Sequence, residues 1–234
     1  MSDLPSSPRI ENVGEDALLL HFGDRIDAAI NARVHAANHR IQRALPQLET
    51  VPAYASILLR FDPFAWSDHA GQTPHHAVTQ AVLHALQHVD NNLASARRID
   101  IPVCYDGEDL PALAQHAQLT VEEVIARHTG AEYQVAMLGF APGFAYLLGL
   151  DPALVMPRRA EPRLRVPAGS VAIGGSQTGI YPTSLPGGWQ LIGRTPLRLF
   201  DASASSPSAL QPGDRVNFRA IDAAEFIHLG GDAP

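Results

Sequence analysis

The chain has 234 residues, 46% of them hydrophobic and 18% charged, with a net charge of −7 at pH 7. That balance excludes a disordered chain, and the negative charge argues against general nucleic-acid binding. All 17 cationic residues are arginine, so a phosphate-loop, Schiff-base or biotin-bearing lysine is excluded, and the single cysteine, Cys104, rules out an internal disulfide.

The opening MSDLPSSPRI lacks a basic start leading into an apolar core, and no apolar run approaches the ~18 residues of a membrane span. A cytoplasmic chain is expected. Pro8–Val13 and Ala17–Phe22 read as strands around the turn-forming Gly14, Glu15 and Asp16. Ile26, Ile30, Val34, Ala37, Ile41 and Leu45 then recur on one helical face, with Asp24 as the expected cap. Thr50–Tyr54 and Ser56–Phe61 are two more strands. Thr73 and Pro74 open a second helix that carries Val78, Val82, Leu86 and Val89 on one side. The order ββαββα predicts a small α+β domain over residues 1–92, two helices covering an antiparallel sheet. The pairs His35/His39 and His84/His88 have a zinc-ligand spacing, but no third ligand or base accompanies them. They read as surface histidines, and no metal site is expected.

The polar stretch Asn91–Arg98 marks a boundary, and residues 98–234 form the second expected domain. It starts with a strand, Arg98–Cys104, in which Cys104 reads as a core thiol. Helical segments follow over Asp109–Ala117 and Thr120–His128. In the second, Thr120 and Glu123 have the spacing of a capping box. Short apolar runs then alternate with Gly/Pro clusters: Tyr133–Leu138, Ser170–Ile173, Trp189–Ile192, Leu197–Phe200 and Arg215–Ile221. This pattern predicts a mainly-β barrel or sandwich with functional loops.

Three stretches carry candidate chemistry. Gly188–Thr195 (GWQLIGRT) has the outline of a phosphate loop, but its interior is bulky and apolar and no helix follows; strand, turn and strand is the reading. Gly174–Gly179 (GGSQTG) has neither the spacing of a dinucleotide loop nor that of a nucleophile elbow, and reads as a tight turn with exposed N–H groups. Between Met156 and Phe200, six arginines face the single acid Glu161, a local net charge of +5 in an acidic chain. Prolines between Pro157 and Ser170 stiffen that segment and pre-position its guanidinium groups. With the aromatic-Gly-Pro cluster Leu138–Leu150 and with Tyr181–Trp189, these loops either form a rigid, cationic, aromatic pocket or simply pack the barrel ends.

The runs GFAPGFAYLLGL, PRRAEPRLRVPAGSVAIGGSQTGIYPTSLPGGWQLIGRTPLRLF and LQPGDRVNF resemble the family of the B-type 5-oxoprolinase subunit (allophanate hydrolase subunit 1), which also holds Kip-type histidine kinase inhibitors. The likeness covers nearly the whole chain and is densest from Tyr133 to Phe218. Asp106 and Ser176 are small departures. The resemblance implies a cyclophilin-like β-barrel in the C-terminal domain. It also implies a complex with a C-type partner (allophanate hydrolase subunit 2-like) and an A-type partner, and an ATP-dependent hydrolase, using ATP with Mg, that opens 5-oxoproline to glutamate. The alternatives are a regulatory protein that inhibits a sensor histidine kinase, with Trp189 and Phe140 as apolar anchors, and an allophanate hydrolase or urea carboxylase-type subunit. On the enzyme reading, Arg158, Arg163, Arg165 and Arg194 are the expected anion donors, Gln177 and Tyr181 orient substrate, and His128 carries a proton. Phe140, Pro142, Gly187, Gly188 and Trp189 form the pocket wall or meet a partner.

Overall fold

The computed structural model describes residues 7–67, 71–87 and 96–232. Val89, His88 and most of the expected boundary at Asn91–Arg98 lie outside them. The chain divides into two compact units, Met1–Ser95 and Ala96–Pro234.

In the first unit, β1 (Arg9–Val13), β2 (Ala17–His21), β3 (Glu49–Pro52) and β4 (Ser56–Arg60) form an antiparallel sheet in the order β1-β2-β4-β3. Strand alternation puts Leu18, Leu20, Ile57 and Leu59 on one face. There they meet Ile30, Val34 and Ile41 of α1 (Ala28–Ala44) and Val78 and Val82 of α2 (Pro74–Gln87). Helix α1 is capped by Asp27, not by Asp24. The Asp27 carboxylate accepts from the N–H groups of Ala29 at 2.9 Å and Ile30 at 3.1 Å, so the helix starts after it. His35 is tied to buried Asn31, whose amide in turn donates to the carbonyls of Ala53 and Tyr54. That side chain serves the turn between β3 and β4.

In the second unit seven strands close a barrel: β5 (Arg98–Cys104), β6 (Tyr133–Leu138), β7 (Ala145–Leu148), β9 (Ser170–Gly174), β10 (Gln177–Ile180), β12 (Gln190–Arg194) and β13 (Arg215–Ile221). Going round, the order is β10-β7-β6-β13-β5-β12-β9, and only β13 and β5 run parallel. The strands β8 (Arg163–Val166) and β11 (Leu185–Gly187) pair as a separate ribbon. Helices α3 (Leu110–Ala117) and α4 (Val121–Gly130) pack Leu113 and Val124 into the barrel core, and α5 (Ala223–His228) follows β13. The expected mainly-β barrel and a mixed helix and sheet region are both observed. The capping box at Thr120 and Glu123 is formed in both directions.

Two sequence expectations fail here. Gly188–Thr195 contains no turn: β12 runs on through Gly193 with a bulge between Leu191 and Gly193. A Cβ at Gly193 would lie 2.5 Å from the Cys104 carbonyl oxygen, so this glycine permits close strand approach rather than reversal. Leu197–Phe200 is not a strand either, and pairs only through an isolated bridge between Phe200 and Ser208. Pro196, which has no N–H, precedes it, and the Leu197 N–H is taken by the Thr195 hydroxyl.

His128 lies in the barrel core, with no solvent exposure. The Thr178 hydroxyl donates to the Ala172 carbonyl, so its oxygen accepts from His128 Nε2 at 3.1 Å, while Nδ1 accepts from the Tyr105 hydroxyl at 2.7 Å. Both ring nitrogens of a neutral imidazole are thereby satisfied. Burial lowers the pKa of His128 from 6.5 to about 3. As pH falls below 6.5, the unfolded chain takes up this proton while the folded chain does not. Stability is therefore undiminished above that value and is lost progressively toward pH 3. The expected loss between pH 7 and pH 5 is about 2 kcal/mol. Urea denaturation at both pH values should show that slope in the native chain and a flatter one in His128→Leu.

Candidate functional site: an aromatic cavity with two arginines

Three loop segments converge beside the ribbon β8–β11. The first, Gly139–Phe144, joins β6 to β7. Ala141 N–H donates to the Gly139 carbonyl at 2.8 Å, closing a three-residue turn whose central residue, Phe140, has φ +67°. That is the rare, strained hand of this turn, and a bulky residue there costs about 1–3 kcal/mol. Phe140 nevertheless stays 60% exposed. Its ring meets Phe144 edge-on at 5.4 Å and Tyr181 at 6.5 Å, so the turn sets it against the aromatic cluster.

The second segment is the end of β11 with Gly188 and Trp189. Trp189 is only 5% exposed. Its indole packs edge-on against Phe144 at 5.6 Å and Tyr146 at 5.9 Å, and Phe144 contacts Tyr181 at 5.3 Å. The third segment carries Arg158 and Arg159. The Arg159 N–H donates to the Gly188 carbonyl at 2.7 Å, and the Gln190 amide donates to the Pro157 carbonyl at 2.8 Å. These bonds pin the arginine loop against β12. The Arg158 guanidinium lies 5.6 Å from the Trp189 ring centre, a cation–π contact.

Together the segments line an open-mouthed cavity of about 260 Å³ whose walls, among the described residues, carry aromatic rings, two guanidinium groups and no carboxylate. Burial pushes the Tyr181 and Tyr146 hydroxyls up from their ordinary pKa, and the positive charge of Arg158 opposes that rise. Both phenols are therefore neutral hydrogen-bonding groups. Such a site suits a small ring with an anionic substituent: the ring meets the aromatic faces and the anion the guanidinium forks.

The model of the carboxyltransferase-domain family, subdomain C and D, matches residues 8–210 of this chain. The chain belongs to that family. A Bacillus subtilis (strain 168) relative within it, named as the B-type subunit of 5-oxoprolinase, is 42% identical over 227 residues, covering 93% of this chain and 95% of the relative. The crystal structure of TTHA0988 matches with a TM-score of 0.76 at 38% identity, over 89% of this chain but only 40% of TTHA0988, so this chain spans less than half of that protein. The K. lactis urea amidolyase matches with a TM-score of 0.70 over 96% of this chain and 15% of its own length, at 20% identity, a likeness of fold. Among the described residues no helix of this family member is long and apolar enough to cross a membrane.

The family resemblance pointed to a wider set of residues than the cavity gathers. Arg158, Tyr181, Phe140, Gly187, Gly188 and Trp189 line it. Trp189 is too buried to act as an anchor for a docking partner, whereas Phe140 is exposed enough to do so. Arg163 is held by Asp109 and Glu108 behind the wall, and Arg165 bonds the Ser184 hydroxyl. Arg194 pairs with Asp106, stacks 4.3 Å over Phe226 and borders a different cavity, of about 600 Å³. Gln177 is buried opposite Gly174 at the start of β10, and Pro142 is exposed in its turn; neither lines the cavity. His128 is sealed in the core and cannot exchange a proton with a ligand there. The turn at Gly174–Gly179 also differs in detail from its reading, since the Gly175 N–H donates to the Met156 carbonyl. The cavity includes Arg159, Phe144 and Tyr146, none of which the sequence singled out.

Among the described residues no three His, Cys, Asp or Glu side chains converge as a metal-binding group.

Proposed function

We propose that this chain is a subunit of an ATP-dependent 5-oxoprolinase that opens 5-oxoproline to glutamate with A-type and C-type partners, and that it is inactive alone. The observation that carries the reading is the cavity: aromatic walls, two guanidinium groups, no carboxylate among the described residues, and a volume of about 260 Å³. 5-Oxoproline is a five-membered lactam bearing one carboxylate, and it supplies one feature for each part of that wall. The near-full-length likeness to a protein named as part of 5-oxoprolinase supports the same substrate.

In this reading Arg158 binds the substrate carboxylate, and Phe140 and the wall formed by Tyr146 and Trp189 meet the ring. The neutral Tyr181 hydroxyl orients the lactam. ATP, when bound by the complex, supplies the phosphoryl group that activates the stable amide. A cavity of about 260 Å³ holds a small lactam with room to spare, and no ATP-dependent step is assigned to its residues. Arginine does not act as a base in this pH range, and among the described residues the cavity wall holds no carboxylate or imidazole. The base therefore comes from a partner, which is why the isolated chain should be inactive.

Co-expression with the A-type and C-type partners tests this, with ADP and glutamate release measured for 5-oxoproline and, in parallel, ADP release for urea and ammonia release for allophanate. The expected result is turnover of 5-oxoproline by the assembled complex and none by this chain alone. Turnover of urea or allophanate instead would transfer the cavity to the other branch of the family. An inert complex would remove the enzyme reading.

A further inference from the structure

We propose that Arg159 is a second anion-binding residue of the cavity, handed over from Asp109 to an entering carboxylate while Arg163 keeps Asp109 neutralised. This rests on reading the cavity as the substrate site.

The starting observation is the carboxylate of Asp109, which is only 7% exposed. It stands at the residue before α3, where an aspartate ordinarily accepts from the first helical N–H groups, yet it makes no such bond. It is turned instead to the back of the cavity wall. There it accepts from the Leu191 N–H at 2.7 Å, from Arg163 Nη2 at 2.8 Å to each oxygen, and from Arg159 Nη1 at 3.2 Å.

The two arginines are not equivalent. The Arg163 side chain is 15% exposed, also donates to Glu108 at 2.6 Å, and has the shorter contacts to Asp109. The Arg159 side chain is 39% exposed, holds Asp109 by a single longer bond, and lines the cavity. Withdrawing Arg163 would leave a buried carboxylate with one exposed cation and a backbone N–H. Withdrawing Arg159 leaves that carboxylate still bound to Arg163 and to Leu191 N–H. A buried charge is costly when its partner is removed and tolerable while a close one remains. Exchange of Arg159 is therefore the cheap move.

The geometry also restricts what moves. The Arg159 backbone is fixed by its N–H bond to Gly188, so only the side chain swings. Arg158 stands over the indole of Trp189, and Arg159 approaches from the Asp109 side. A carboxylate drawn in by Arg158 then receives a second guanidinium fork. A neutral ligand offers Arg159 nothing better than Asp109 and leaves it in place. The exchange thus makes the cavity select for a carboxylate-bearing ring over the same ring without one.

The test uses the full chain in a Trp66→Phe background, which leaves Trp189 of the two tryptophans in the sequence. Its fluorescence is titrated with 5-oxoproline and with 2-pyrrolidinone, the same ring lacking the carboxylate. Arg159→Gln is expected to weaken 5-oxoproline binding about tenfold or more, to leave 2-pyrrolidinone binding unchanged, and to keep Tm within about 2 °C of the parent. Arg163→Gln is expected to lower Tm by about 5 °C or more. Unchanged 5-oxoproline affinity in Arg159→Gln overturns the proposal. So does a loss of Tm matching that of Arg163→Gln, and so does a parent chain that binds no 5-oxoproline. If carboxylate-selective binding holds while the assembled complex does not turn over 5-oxoproline, the exchange stands and the enzymatic reading falls.

Discussion

Replacing Gly174 by alanine is expected to lower the unfolding free energy by about 1–3 kcal/mol and to open the cavity at the same time. A Cβ at this position would lie 2.5–2.6 Å from three atoms of the Trp189 indole, a distance that packed atoms do not adopt. The indole has no room to yield. Its other side meets Phe144 and Tyr146, and a Cβ at Gly179 would already be 3.1 Å from its six-membered ring. The ring must therefore tilt toward solvent, where Arg158 now sits over it. Gly175, the next residue, supplies the control. It has φ +65° but no atom within 4 Å of an added Cβ, so Gly175→Ala is strained without crowding Trp189. Denaturant unfolding should show both variants weakened. Only Gly174→Ala should show a red-shifted Trp189 emission and lost ligand binding. Equal emission spectra would mean that the glycine does not set the indole's place.

Arg158→Gln is expected to reduce kcat/KM of the assembled complex for 5-oxoproline by about 100-fold, and Arg158→Lys by about tenfold. A charge-assisted bond to a carboxylate is worth roughly 1.5–3 kcal/mol, and a lysine keeps the charge but not the two-pronged fit. Folding should be little affected. Arg158 is exposed, and among the described residues it has no carboxylate partner. Its contact with Trp189 is worth about 0.5–1 kcal/mol. Steady-state kinetics beside a denaturation curve separates the two effects. A variant with unchanged kcat/KM would take Arg158 out of the site.

Much of the fold is legible along the chain because it rests on local rules. Helical spacing places α1, the Thr120–Glu123 box starts α4, and the apolar runs Tyr133–Leu138 and Arg215–Ile221 are strands to the residue. Two of the misreadings share one cause: the deciding neighbour is distant in sequence. Gly193 looks like a turn until β5 is seen against it. His128 looks like an available imidazole at a helix end, but α4 turns that side to the barrel, where Tyr105 and Thr178 wait.

The arginines show the same limit most clearly. Local charge makes all six arginines between Met156 and Phe200 look like one set, and the enzyme reading takes Arg158, Arg163, Arg165 and Arg194 from it. Their fates depend on acids far away in the chain. Asp109 claims Arg163 across 54 positions, and Asp106 claims Arg194 across 88. Arg159 escapes notice for the opposite reason, since its weaker hold on Asp109 is visible only in three dimensions. The aromatic-Gly-Pro cluster does contribute to the cavity wall. It gave no hint that Phe144 and Tyr146 join the wall while Pro142 stays outside it.

A crystal structure of the assembled complex with 5-oxoproline shows whether the substrate sits in the aromatic cavity. The expected result is the lactam ring seated in this cavity against its aromatic wall, with its carboxylate on Arg158. A complex that turns over 5-oxoproline but binds it elsewhere, with this cavity empty, would contradict it.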